Sequence, residues 1–174
     1  DPKRYDPKKI KRLISNAKNQ CLTSNDLLDK AENNFDKTVA EAYNRYRTSL
    51  SKNNSLDFDD LLLLPVFLLR QNDVVRDYWH KRFKHILVDE YQDTNRTQYE
   101  LIKLITAGNT EPKKFFNWED RSIFVVGDAD QSIYSFRAAD FRILIGFQKD
   151  FKTSINEETK SSLIKLEENY RSSS

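Results

Sequence analysis

Methionine is missing altogether from these 174 residues, even at position 1, as expected of a segment cut from a longer chain. A single cysteine, Cys21, excludes an intramolecular disulfide and makes a reducing, intracellular compartment the expectation. Only three glycines punctuate the sequence, and no Gly-x-x-x-x-Gly-Lys-Ser/Thr run occurs. The glycine-rich loop whose backbone amides cradle phosphates is therefore absent. The longest apolar run, Leu61 to Leu69, is too short to span a bilayer and contains Pro65. With no signal peptide either, no membrane association is expected. Charge of one sign is lacking too: 29 Lys and Arg against 27 Asp and Glu leave +2, too little to imply nucleic acid by itself.

What remains is enough for a packed core, with 38% hydrophobic and 12% aromatic residues under a surface supplied by 32% charged ones. The length suits one domain, or a small domain with part of a second. Residues 1–20 hold seven Lys or Arg against two Asp, either a solvated helix face or a phosphate track. Asp6-Pro7 is an N-cap and first-turn pair, and Ile10, Leu13, Ile14, Ala17 and Cys21 follow at helical spacing. One longer helix is expected over 26–51, with Leu28, Ala31, Phe35, Val39, Ala42, Tyr43, Tyr46 and Leu50 on a stripe. Residues 1–55 thus read as all-helical and basic, closed by the polar break Lys52-Asn53-Asn54-Ser55.

Beyond the break, helices alternate with strands. Asp57 and Asp60 suit a capping box, and Pro65 should kink the helix that follows or end its first half. A short helix is expected from Asn72-Asp73 to Trp79, a strand over Phe83–Val88, and a helix over Thr94–Ile105. Residues 106–120 read as a surface loop or insertion, Ser122–Val126 as a second buried strand, and 130–136 and 140–149 as helical turns. A polar connection over 150–162 leads to a third strand at Leu163–Leu166. Strands separated by helices imply a parallel sheet, with functional loops at the strands' C-terminal ends.

The most informative run is Ile86-Leu87-Val88-Asp89-Glu90-Tyr91-Gln92-Asp93-Thr94. Two adjacent carboxylates at a strand's C-terminal edge suit nucleoside-triphosphate hydrolysis, one acid holding Mg²⁺ through water and the next activating the attacking water. The alternative is that both acids cap the helix that follows. Val125 through Arg137 puts a second polar cluster at a strand end. There Gln131 can bond a water and a phosphate together, and Arg137 can neutralise charge developing on that phosphate. Tyr134 and Phe136 suit either base stacking or ordinary packing. Tyr170-Arg171 repeats the pairing of an aromatic that can stack on a purine with a guanidinium that can reach phosphate.

Four stretches in order resemble the UvrD/PcrA/Rep-type superfamily 1A DNA helicases: Asp57 to Leu61, Val88 to Asn95, Gly127 to Arg137 with Ala139-Asp140, and Leu166 to Ser173. Ile14 to Asn19 also looks like that family's helical insert. The resemblance implies an α/β fold: a partial RecA-like parallel sheet of the P-loop NTPase type, with an all-helical N-terminal subdomain. Residues 1–55 would be the helical insert, and 56–174 the later part of the first motor lobe without its phosphate loop. It also implies ATP and Mg²⁺ as cofactors of a full-length parent, and single-stranded and duplex DNA as partners. Asp89 would hold Mg²⁺, with Glu90 beside it at the metal and activating water. Gln131 would couple phosphate state to DNA grip, Arg137 would sit near the γ-phosphate, Tyr170 would stack on adenine, and Arg171 would act as a γ-phosphate arginine. Phe58, Tyr134 and Phe136 would touch bases of single-stranded DNA. The family's cycle of lobe closure and opening implies 3′ to 5′ translocation, in a bacterial-type cytoplasm.

Two departures stand out. Phe136 occupies a position usually held by tryptophan in that family, which reduces the stacking area, and the stretch between Ile105 and Ser122 is longer than the family needs. Without a phosphate loop, the chain alone is expected not to hydrolyse ATP. A rival reading from a different class is a non-catalytic module that binds single-stranded DNA or a partner on a degenerate motor fold. A phosphate loop in the upstream gene would separate the two.

Overall fold

A computed structural model describes residues 5–108, 120–128, 142, 143, 146 and 147. The described residues are mostly helical, with one two-stranded parallel sheet. The elements are α1 (Pro7–Asn19), α2 (Ser24–Asp29), α3 (Asn34–Lys52), α4 (Asp60–Gln71), α5 (Asp73–Arg82), β1 (His85–Val88), a 3₁₀ turn (Tyr91–Asp93), α6 (Arg96–Ala107) and β2 (Ser122–Val125). The expected turn at 130–136 and strand at 163–166 lie outside the described residues, whereas 142, 143, 146 and 147 are helical.

Side-chain caps set the helix starts. Asp6 accepts from Lys8 N at 2.9 Å with Pro7 in the first turn, as its sequence predicts. The single helix expected over 26–51 is divided in two. Thr23 and Asp26 form a capping box at α2, and Asn33 accepts from Asp36 N at 3.0 Å to start α3. Val39 and Tyr43 of the expected stripe are buried, but Tyr46 is 37% exposed and Leu28, on the shorter helix, is 48% exposed. Asn53 closes α3, and Asn54 takes a left-handed φ of 47°, so the polar break falls where expected.

Asp57 and Asp60 bond reciprocally, Asp60 N to Asp57 Oδ1 at 2.9 Å and Asp57 N to Asp60 Oδ2 at 3.2 Å, although regular α4 begins only at Asp60. Pro65 does not end α4, which runs through it to Gln71. A proline inside a helix costs about 3 kcal/mol. Leu63, Val66 and Leu69 are all essentially buried around it, each contributing roughly 1.5–3 kcal/mol, so burial outweighs the lost hydrogen bond. Asn72 caps α5, which extends beyond the expected Trp79 to Arg82.

The two strands pair in parallel with His85 opposite Ser122 and Val88 opposite Val125. The sequence reading of buried strands needs correction: exposed and half-buried residues alternate along both. Val88, Ile123 and Val125 pack against Tyr91, Tyr99 and Ile143, while Leu87 and Phe124, paired in register, are 77% and 52% exposed. Parallel sheets normally bury both faces; among the described residues only one face is covered.

A buried polar frame holds α1 against α4 and α6. Lys18, with a fully buried side chain, donates to Asp57 Oδ2 and Asp60 Oδ1, both at 2.7 Å. Thr97 at the start of α6 donates through its hydroxyl to the Lys18 carbonyl. Asn95 donates to Asn19 Oδ1 at 2.7 Å, and Asn19 in turn donates to Asp59 at 3.4 Å.

Candidate active site

The C-terminal ends of β1 and β2 meet through backbone bonds that continue past the strands. Val126 N donates to the Val88 carbonyl at 2.8 Å, and Tyr91 N donates to the Val126 carbonyl at 2.9 Å. Asp89 and Glu90 follow β1 directly, and Gly127 and Asp128 follow β2. Asp89 is exposed, and its Oδ1 accepts from Glu90 N at 2.9 Å. Glu90 adopts φ 50° and ψ 43°, a left-handed conformation that costs a non-glycine residue about 1–3 kcal/mol. The surroundings must hold it there.

Neither acid caps the next helix. Asn95 does so, accepting from Gln98 N at 2.9 Å while Gln98 Oε1 accepts from Asn95 N at 2.9 Å. With that duty taken, the adjacent carboxylates at the strand edge have no structural task as caps. Oxygen donors of this kind suit a hard divalent cation that keeps several waters, as Mg²⁺ does. Among the described residues no group of three or more His, Cys, Asp or Glu is assembled for a metal.

A residue with no role assigned from sequence joins the two strand ends. Gln92, only 3% exposed, donates from Nε2 to Glu90 Oε2 at 2.6 Å and accepts at Oε1 from Asp128 N at 3.0 Å. Gly127 makes room for this. A Cβ there would lie 3.0 Å from Gln92 Oε1, 3.2 Å from Gln92 N and 3.3 Å from Tyr91 Cβ. The sequence offered a weak signal, a polar residue two positions after Glu90, but nothing in it marks that side chain as buried.

Phe58 stands in the turn before α4 and is 69% exposed, a surface position compatible with contact to a base. Its flanking acids anchor that turn. Burial alone would raise the Asp57 carboxyl, but hydrogen bonds from Lys18 and from Asp60 N hold it below the usual carboxylate range. The phenol of Tyr46 is pushed up to about 12, first by partial burial and then by its hydrogen bond to Asp57. The remaining site residues expected from sequence, Gln131, Tyr134, Phe136, Arg137, Tyr170 and Arg171, lie outside the described residues.

Comparison with known proteins bears on the whole chain. The sequence profile of the UvrD/REP helicase N-terminal domain matches residues 1–152. The ATP-dependent DNA helicase PcrA of Bacillus subtilis (strain 168) is 40% identical over 172 residues, which cover 99% of this chain and 21% of that protein. The proteins of the same name from Leuconostoc citreum and Staphylococcus aureus (strain Mu50 / ATCC 700699) are each 39% identical over equal spans. The chain therefore spans about a fifth of the length of these relatives. Among the described residues no helix is long and apolar enough to cross a membrane. With most of its length matched by the family profile, the chain belongs to the UvrD/REP helicase family.

Proposed function

We propose that this chain is part of an ATP-dependent DNA helicase, in which ATP hydrolysis drives 3′ to 5′ movement along single-stranded DNA and separation of the duplex. The observation that carries the reading is the placement of Asp89 and Glu90 at the end of β1, beside the end of β2, with the helix-capping duty taken by Asn95. The names of the relatives, ATP-dependent DNA helicases, supply the substrate class. Residues 56–174 belong in this reading to a RecA-like motor lobe, and 1–55 to a helical insert.

Asp89, exposed at the strand edge, would hold Mg²⁺ with Glu90 alongside, and neutralisation of charge on the phosphate oxygens is the chemistry such an ion would supply when bound. Glu90 orients the attacking water and takes its proton. Gln131 senses the γ-phosphate, Arg137 and Arg171 stabilise its charge, and Tyr170 stacks on adenine. Phe58, Tyr134 and Phe136 contact bases of single-stranded DNA. The parent protein works in a bacterial-type cytoplasm, on the nucleoid when bound to DNA, and the chain alone is inactive as an ATPase.

The test is hydrolysis by the full-length parent with and without single-stranded DNA. Glu90→Gln keeps the shape and removes the base, so ATP binding persists while DNA-stimulated hydrolysis falls by about three orders of magnitude or more. No hydrolysis by a folded wild-type parent favours instead the non-catalytic DNA- or partner-binding module.

A further inference from the structure

We propose that Gln92 is a positioning residue, one that fixes the Glu90 carboxylate and ties it to the Asp128 backbone at the end of β2. The inference rests on the reading of Glu90 as the base and goes beyond it by naming what aims that base. Three observations carry it.

First, the orientation of the amide is determined by its neighbours. Asp128 N can only donate, so the Gln92 atom 3.0 Å away must be oxygen, which leaves the nitrogen facing Glu90. A carboxylate accepting from N–H at 2.6 Å is a charge-assisted bond, among the stronger kinds available to a neutral side chain. Second, Gln92 is buried, so neither bond competes freely with water. Third, Glu90 leaves the strand in a left-handed conformation, so its side-chain direction is not dictated by the pleat of β1. The Gln92 amide is placed to set that direction.

One planar amide thus spans two strand ends. Any shift of the Asp128 backbone draws on the same rigid group that holds Glu90. Gly127 is the permissive element, because a Cβ there would press on both the oxygen and the backbone of Gln92.

The experiment uses the full-length parent, with ATP and single-stranded DNA, well below its unfolding midpoint. Gln92→Glu keeps an oxygen for Asp128 N but sets oxygen against oxygen at Glu90. The expected result is a kcat lower by about 10–100-fold, with KM for ATP changed by less than about two-fold. In a Glu90→Gln background, single-turnover hydrolysis should show no further loss from Gln92→Glu, because the two residues act as a unit. A wild-type kcat in Gln92→Glu, or a full multiplicative loss in the double variant, overturns the proposal. Should Gln92→Glu not fold, Gly127→Ala carries the test with the same split, and an unchanged kcat there has the same meaning. The underlying reading fails separately: Glu90→Gln retaining hydrolysis removes the base itself, whereas loss in Glu90→Gln with normal Gln92→Glu removes only the positioning role.

Discussion

Lys18→Met is the substitution from which the structure allows the largest effect to be worked out. The Lys18 ammonium is fully buried, 2.7 Å from carboxylate oxygens of both Asp57 and Asp60, and it lies 5.3 Å from the Tyr46 ring centroid. Methionine keeps much of the stem's volume and leaves two carboxylates facing each other without a cation. Removing one partner of a buried ion pair typically costs about 3–5 kcal/mol, far more than an exposed pair is worth, because the stranded charge cannot be solvated. With a urea slope of about 2 kcal/mol per molar, the unfolding midpoint should fall by roughly 2 M at pH 7. The hydroxyl of Thr97 bonds the backbone carbonyl of Lys18, so that contact survives and the loss belongs to the ammonium.

The pH dependence checks the cause. Asp57 is held below its ordinary value in the fold, so its stabilising contribution is present above the unfolded value of about 3.9 and is lost as pH falls through the lower folded one. Lys18→Met removes the hydrogen bond chiefly responsible for that lowering. The gap between wild type and variant should therefore be full at pH 7 and narrow below about pH 4. Adding Asp57→Asn and Asp60→Asn to Lys18→Met neutralises the stranded charges and should recover at least about half the loss. A loss below about 1 kcal/mol at pH 7, the scale of an exposed pair, would refute the reasoning, as would a gap that stays constant down to pH 3.

Three further outcomes are expected. Tyr134→Ala in the full-length parent should weaken single-stranded DNA binding by roughly 1–3 kcal/mol, and unaltered affinity removes the stacking assignment. Burial pushes the Cys21 thiol up, against the opposing effect of Arg70, so alkylation at pH 7 should be slower than in the unfolded chain, with equal rates contradicting this. The exposed pair Leu87 and Phe124 should drive self-association at high concentration, suppressed by Leu87→Lys with Phe124→Lys. Sedimentation showing only monomer for the unsubstituted chain across a wide concentration range would count against it.

Much of the secondary structure was legible because its signals are local. Asp6-Pro7, the Asp57–Asp60 pair, Asn72 and the polar break at 52–55 work through hydrogen bonds within a few residues, and each acts where its spacing predicts. The departures have local and tertiary causes: local caps at Thr23 and Asn33 divide the helix expected over 26–51, and elsewhere a tertiary effect overrides a local rule. Pro65 was expected to kink the helix or end its first half; it does not end it, because the burial of Leu63, Val66 and Leu69 carries α4 through to Gln71. The strands read as buried because continuous apolar runs suit a sheet covered on both faces, and sequence does not show which face lacks a cover. At the site, Asp89 and Glu90 were legible as adjacent acids after a strand. Gln92 was not, because its role depends on Asp128, 36 positions away, and on room left by Gly127.

The buried polar frame adds a constraint that the division of the sequence at 55 leaves out. Lys18 and Asn19 lie in the first segment, yet their partners are Asp57, Asp59, Asp60, Asn95 and Thr97 in the second. The turn carrying Phe58 and the helix that follows Asp89 and Glu90 therefore hang from the same end of α1. Moving that end relative to α4 requires breaking bonds to a fully buried ammonium, an expensive step, and moving it relative to α6 breaks the Thr97–Lys18 and Asn95–Asn19 bonds as well.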